Sequence, residues 1–315
     1  MHDRLTIKDI ARLSGVGKST VSRVINGEAS VSQVTRDRVE AVILQQGFTP
    51  SKSARAMRGQ SDKVVGIIVS RLDSPAENQA VRAMLPLLYQ QGFDPILMES
   101  QFDTHLVEEH LHMLGQRHVD GVILFGFNGL MQEMLTPWQE KMVVMVRNYS
   151  GFSSVCYDDA GAVNLLMDHL FSKAHRHISY LGVEQRDATT GACRYQAYRD
   201  ACTRLHLKPE AILGELSYQN GFDLVAGVIT ADTTALVCAS DSLALGATKY
   251  LQQQNITGIQ VCAIGNTPLL SFLFPETVSV EFGYGTAGRY AVQQLLAQLA
   301  GETEIRHILV PCTLS

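Results

Sequence analysis

The sequence has no stretch near eighteen residues that is uniformly apolar, and its first residues, MHDRLTIKDIARLSG, lack the apolar run of a secretory leader. Neither a membrane-spanning helix nor export is expected, so the chain reads as cytoplasmic. Cysteine is sparse: Cys156, Cys193, Cys202, Cys238, Cys262 and Cys312 lie scattered, with no C-x-x-C pair. They read as buried, reduced thiols. No G-x-S-x-G occurs, which removes the nucleophile elbow of a serine hydrolase. His105, His110 and His112 share one expected surface helix, while His175 and His177 flank Arg176 at the start of a strand. Neither set offers the i, i+4 His pair plus acid of a helical zinc site, so no metal is expected.

Two motifs imitate nucleotide sites. GVGKST at 15–20 ends like a phosphate-binding loop, but Arg12 stands where the pattern needs glycine and no strand precedes it. GYGTAG at 283–288 fits the dinucleotide fingerprint after the strand-like TVSVEF, yet only about one strand remains to complete the βαβ unit that fold requires. No catalytic residue is assigned and no cofactor is expected.

What is present begins with a charge division. Through residue 61, ten Lys or Arg stand against five Asp or Glu, about +5, which leaves about −10 for the remainder of a chain whose net charge is −5. A basic cap on an acidic body is the footprint of a nucleic-acid binder. The cap carries LTIKDIARLSGVGKSTVSRVIN at 5–26. Thr6 and Asp9 form a capping-box pattern for a first helix whose Ile7, Ile10 and Ala11 share one face. Gly15 supplies the turn. A second helix at about 18–25 turns Val21, Val24 and Ile25 inward and projects Lys18, Ser19, Ser22 and Arg23 outward, where base edges can be met. A third helix at 35–46, with Val39, Val42 and Ile43 inward and Gly47 as its stop, closes a small core.

These runs, with VSQVTRDRVEAV and the SKSARAMRG that follows Pro50, resemble the lactose/purine repressor family of bacterial transcription regulators. The resemblance implies a hinge helix at about 51–59 that forms when two copies meet in the DNA minor groove. The family's wedging Leu is Met57 here, apolar and adaptable enough to intercalate, with Ala54 beside it in the same hinge. So short a helix is marginal alone, since nucleation costs more than a few hydrogen bonds return. The implied reading is a helix-turn-helix domain with hinge at 1–59. Lys18, Ser19 and Arg23 then read the major groove, and Thr6, Ser22, Asn26, Ser32 and Thr35 orient the domain on phosphates.

At 315 residues and 46% hydrophobic content there is room for a second, larger domain, placed at 60–315. Apolar runs of strand length at 64–70, 94–99, 121–127 and 142–146 alternate with helices at 78–91 and 106–116. This is the βαβ repetition of a parallel sheet covered on both faces. A second set follows residue 159: strands at 177–181, 235–238 and 260–264, and helices at 160–172, 191–206, 220–229 and 241–254. Two α/β lobes with a cleft between them result. The family implies the architecture of periplasmic sugar-binding proteins, with residues 284–300 and a last strand at about 305–310 returning to the first lobe.

Ligands of parallel α/β sheets sit outside the carboxyl ends of strands. Arg71 follows the first strand there, Arg147 the fourth, and Arg194 opens a helix just past Asp187, Ala188, Thr189 and Thr190. Guanidinium forks suit a phosphate better than a neutral sugar. Within the family, SARAMRGQSDKVV, MESQF, DGVILFGF, SVCYDD, TTGACR, GNTPLL and the terminal TLS resemble the branch that answers to trehalose 6-phosphate. That resemblance implies an effector site of Arg71, Gly126, Arg147, the segment 187–190, Arg194, Ser242 and Tyr284. Arg71 and Arg147 are assigned to the phosphate, Arg194, Asp187 and Thr190 to sugar hydroxyls, and Tyr284 to a pyranose face. Asp241 and Ser242 lie where family members commonly hydrogen-bond a sugar.

The expectation is a repressor that binds double-stranded operator DNA as a homodimer and is released by a sugar phosphate. The end of the chain, at 311–315, shows no leucine heptad of the kind that makes the lactose repressor a tetramer. The remaining alternatives are a regulator answering to another sugar or to a purine co-repressor, a two-lobed sugar-binding protein, and a NAD-dependent enzyme.

Overall fold

The computed structural model describes residues 5–25, 28, 30–46, 48 and 63–315. The chain divides into two compact units, Met1–Lys63 and Val64–Ser315. Among the described residues no helix is long and apolar enough to cross a membrane.

The first unit holds α1 (Ile7–Ser14), α2 (Lys18–Ile25) and α3 (Gln33–Gln45). Thr6 opens α1 by donating its backbone N–H at 3.0 Å and its hydroxyl at 2.6 Å to Asp9 Oδ2. Gly15 ends the helix at φ +67°, the left-handed cap that lets α2 start three residues later. Ile10, Ala11, Val21, Val24, Val39 and Phe48 form the buried core, with Ile7, Ile25, Val42 and Ile43 packed at its edge. The expected inward faces of all three helices are the observed ones. Gly47, the expected stop of α3, lies outside the described residues.

The second unit runs β1 (Lys63–Val69), α4 (Pro75–Gln90), β2 (Phe93–Glu99), α5 (Thr104–Gln116), β3 (Gly121–Phe125), α6 (Gln132–Leu135), β4 (Met142–Met145) and β5 (Ser153–Tyr157). The chain then crosses to α7 (Asp159–Ser172), β6 (Ile178–Val183), α8 (Arg194–Arg204), β7 (Glu210–Gly214), α9 (Tyr218–Leu224) and β8 (Ala235–Cys238). It continues through α10 (Asp241–Gln253), β9 (Gln260–Gly265), α11 (Pro268–Leu273), β10 (Val278–Glu281), α12 (Tyr284–Leu299), β11 (His307–Val310) and β12 (Thr313–Leu314). One sheet has the order β11-β5-β4-β3-β1-β2, the other β12-β10-β9-β8-β6-β7. The β11 strand pairs parallel to β5 in the first lobe, as expected, but the chain then crosses once more, and β12 pairs antiparallel to β10 in the second.

Continuous apolar strands face two cores at once. On β1, Val65, Ile67 and Val69 enter the layer under α4 and α12, while Ile68 enters the layer with Leu111 and Leu114 of α5. The second lobe has its own core around Tyr180, Leu236, Val237 and Cys262. Besides β12, two strands escaped expectation because they are partly polar. In β5 the buried Ser153 hydroxyl accepts from Gln294, Gln298 and Arg306, and Ser154 donates to Asn148 at 2.5 Å. Satisfied hydroxyls cost little to bury, so an apolar-run criterion passes over them. β7, with only half-buried or exposed positions before Gly214, lies at a sheet edge. The helix expected at 191–206 is a π-helical turn at Ala188–Cys193 followed by α8, and that expected at 220–229 ends at Leu224 in a 3₁₀ turn. Of the cysteines, all free, Cys202, Cys238 and Cys262 are buried, whereas Cys156 and Cys312 are half-buried and Cys193 is exposed, correcting the expectation of uniform burial.

Helices α4 and α12 lie in close contact, and a Cβ added at Gly288 would sit 2.2 Å from the Ala80 carbonyl oxygen. Backbone cannot yield as a side-chain end does, so the helices must separate. Gly288→Ala is expected to destabilise the second unit by about 1–3 kcal/mol in urea unfolding; an unchanged midpoint would show that the two helices are free to move apart.

Candidate functional site

A cleft of about 1090 Å³ opens between the two sheets of the second unit. Arg71, Gly126, Arg147, Asp187, Ala188, Thr189, Thr190, Arg194, Asp241, Ser242 and Tyr284 all line it, so the structure brings every expected effector residue to one place.

The first-lobe wall is built at strand ends. Arg71 follows β1 and is half-buried. Its Nε and Nη2 donate to the two carboxylate oxygens of Asp73 at 2.8 Å each, and its Nη1 reaches across to the Leu216 carbonyl of the second lobe at 3.2 Å. Arg147 follows β4 through Val146, whose φ of +75° is unusual for a β-branched residue and turns the chain at the mouth of the cleft. Arg147 Nη1 donates to Asn128 Oδ1 at 2.5 Å, and the Asn128 amide donates in turn to the Arg186 carbonyl of the opposite lobe. Gly126 lies in close quarters, since a Cβ there would lie 3.1 Å from Val144 and 3.2 Å from the Arg147 side chain.

The second-lobe wall is more rigid. Asp187 Oδ1 accepts from the Thr189 N–H at 2.9 Å, the Thr189 hydroxyl at 3.1 Å and the Gly191 N–H at 3.3 Å, which fixes the π-helical turn. Arg194 is only 4% exposed. Its Nε donates to Asp159 Oδ1 at 2.6 Å, its Nη1 to the Ala239 carbonyl, and its guanidinium lies 4.5 Å over the Phe282 ring. Burial disfavours that charge, and Asp159 more than restores it, so Arg194 stays firmly protonated. Asp241 accepts from the Thr267 N–H at 2.5 Å through Oδ2, while its buried Oδ1 has no partner among the described residues. Tyr284, 6% exposed, is held edge-on by Tyr157 and Phe282 at 5.3 and 5.5 Å between ring centres. Only a little of its ring is open to the cleft.

Sequence reasoning missed Asp73, Glu77, Asn128, Tyr157, Asp159 and Phe282, all of which line the cleft. Tyr157 ends the unrecognised β5 and Asp159 follows it, and Asn128 comes shortly after β3, where the strand-end rule that found Arg71 applies equally.

In the first unit Lys18, Ser19 and Arg23 are exposed and Ser22 is half-buried. Arg23 lies 3.8 Å from Glu28. The Ser32 and Thr35 hydroxyls bond each other at 2.9 Å, and the Thr6 hydroxyl is occupied by Asp9. Asn26, Ala54, Met57 and the expected hinge helix lie outside the described residues.

Residues 6–51 match the model of bacterial regulatory proteins of the lacI family, and residues 167–315 that of a periplasmic binding protein-like domain. The chain is 59% identical over 315 residues to the HTH-type transcriptional regulator TreR of Escherichia coli, covering 100% of both chains. The chain belongs to the lacI family. The same regulator of Salmonella typhimurium is 58% identical, again over 100% of both chains. Among solved structures, the trehalose repressor from Escherichia coli covers 81% of this chain and 100% of its own, with 55% identity and a TM-score of 0.80. The lac repressor dimer bound to operator and the anti-inducer ONPF covers 99% and 98%, with 22% identity and a TM-score of 0.84, a likeness of fold. This lacI-family chain is a DNA-binding transcription regulator rather than an enzyme.

At the cleft floor, burial pushes the Glu77 carboxyl up to about 7, although the Ser70 and Arg71 backbone N–H groups donate to it at 2.7 and 3.4 Å. Its ordinary value is 4.5, so between that pH and about 7 the folded protein holds a proton the unfolded chain has released. Stability therefore falls as pH rises through this window and stays reduced above it. Glu77→Gln is expected to match wild type at pH 5 and to exceed it at pH 8 by on the order of 2 kcal/mol in urea unfolding; parallel pH profiles would contradict this.

Proposed function

We propose that the chain represses a trehalose uptake and utilisation operon and leaves its operator when trehalose 6-phosphate enters the cleft. The observation that carries this reading is the pair Arg71 and Arg147, which follow β1 and β4 on either side of β3 and line one cleft, in a chain so similar to TreR along its whole length. Two guanidinium groups lining one cleft beyond strand ends suit a phosphate dianion. Hydroxyl partners are available on the opposite wall at 187–190 and at Ser242.

In this reading residues 1–59 form the DNA-binding domain with its hinge, residues 60–315 bind effector and dimerise, and the protein works in the cytoplasm. Lys18, Ser19 and Arg23 read bases from α2. Ser22, Asn26, Ser32 and Thr35 serve phosphates, together with Thr6 through whatever its capped hydroxyl leaves free. Ala54 and Met57 sit in the hinge, where Met57 wedges between base steps. The effector acts because Arg71, and Arg147 through Asn128, already touch carbonyls of the opposite lobe. A phosphate that draws on both guanidinium groups changes those contacts and so favours one relative orientation of the lobes.

The test is gel shift on DNA from the protein's own promoter region, titrated with trehalose 6-phosphate, trehalose and glucose 6-phosphate. Release by trehalose 6-phosphate alone is expected, as is loss of that response in Arg71→Ala with operator binding retained. Release by none of the three would discard the effector, and release of Arg71→Ala at wild-type concentrations would remove the phosphate from that arginine.

A further inference from the structure

Arg71 does not present a free fork on its Nε side. The Nε–Nη2 edge of its guanidinium, one that matches a phosphate, already holds the Asp73 carboxylate, oxygen for nitrogen, at 2.8 Å on both sides. A third of its five N–H groups, on Nη1, goes to the Leu216 carbonyl. The two partners are unequally placed. The Asp73 side chain is 73% exposed and that of Arg71 31%, so the carboxylate lies on the water side of the pair. It stands on the short connection between β1 and α4, two residues from Arg71, and turning outward would uncover the guanidinium without moving a strand or helix. By contrast the Asp159 that holds Arg194 is buried and offers no such exit.

We infer that Asp73 is a specificity-determining residue of the cleft, a placeholder that an incoming anion must displace from Arg71. The inference rests on the reading that Arg71 receives the effector's phosphate. A phosphate dianion brings more charge and three acceptor oxygens, and it takes the fork from a single exposed carboxylate. A neutral sugar has nothing to offer the guanidinium that the carboxylate does not offer better. It leaves the pair closed and Arg71 tied to Leu216. The placeholder thus favours sugar phosphate over free sugar at one residue, and because exposed ion pairs are weak it costs the correct ligand little.

Calorimetric titration of the full-length chain with trehalose 6-phosphate and with trehalose tests this in wild type, Asp73→Asn, Asp73→Glu and Arg71→Ala. Asp73→Asn is expected to bind trehalose 6-phosphate about two- to fivefold more tightly and trehalose no differently, a magnitude set by the usual strength of exposed ion pairs. Asp73→Glu, which keeps the charge, should stay within about twofold of wild type. Weaker or unchanged binding of trehalose 6-phosphate by Asp73→Asn, or equal tightening toward trehalose, overturns the placeholder. Arg71→Ala separates the two possible failures. If it loses trehalose 6-phosphate while Asp73→Asn fails the expectation, the placeholder alone is wrong. If it binds as wild type does, the phosphate assignment falls and the placeholder with it.

Discussion

The second unit depends on one buried guanidinium. Arg194 opens α8 beneath the cleft and binds three parts of the chain that are distant in sequence. These are Asp159, just after the first crossing between lobes, the carbonyl of Ala239 at the end of β8, and the face of Phe282 at the second crossing. Two of the three interlobe connections are thereby gathered on one charge. Such a pair adds little over a well-packed apolar substitute, but removing either partner leaves an unpaired charge in the interior. Its contribution is to specify where the connections lie, and so where two otherwise separate sheets can pivot. Tyr157 stacks on Phe282 at 5.0 Å in the same cluster, which makes the floor of the cleft stiff.

The contacts nearer the mouth are of another kind. Arg71 to Leu216 and Asn128 to Arg186 span the lobes through exposed or half-buried side chains. A rigid floor with adjustable contacts at the mouth is what a ligand-biased change of orientation requires, because the ligand can shift the lobes only by bonding them differently in two arrangements.

Much of this was legible in the sequence. Apolar runs marked β1, β3, β4, β8 and β9, because strands buried on both faces have nothing to alternate with. Helical spacing identified the inward faces of α1, α2 and α3. The rule that ligands sit at the carboxyl ends of parallel strands found Arg71 and Arg147. Part of what stayed hidden has one cause, the satisfaction of polar groups by partners far along the chain. Ser153 makes β5 look polar until Gln294 and Gln298 of α12 supply its hydrogen bonds. Arg194 reads as a ligand of sugar hydroxyls and Asp159 carries no assignment until the fold brings them to 2.6 Å. Asp73 is the exception, two residues from Arg71, where the pairing could be suspected but the fork geometry could not.

The central claim is that one cleft and one DNA-binding surface share a coupling free energy, and such coupling acts equally in both directions. The most direct measurement is trehalose 6-phosphate affinity of the full-length protein, first free and then saturated with operator DNA, beside operator affinity with and without the same effector. The account predicts that operator weakens effector binding by the same factor by which effector weakens operator binding. An effector affinity untouched by operator would contradict it, leaving a cleft that binds a sugar phosphate without instructing the DNA-binding helices.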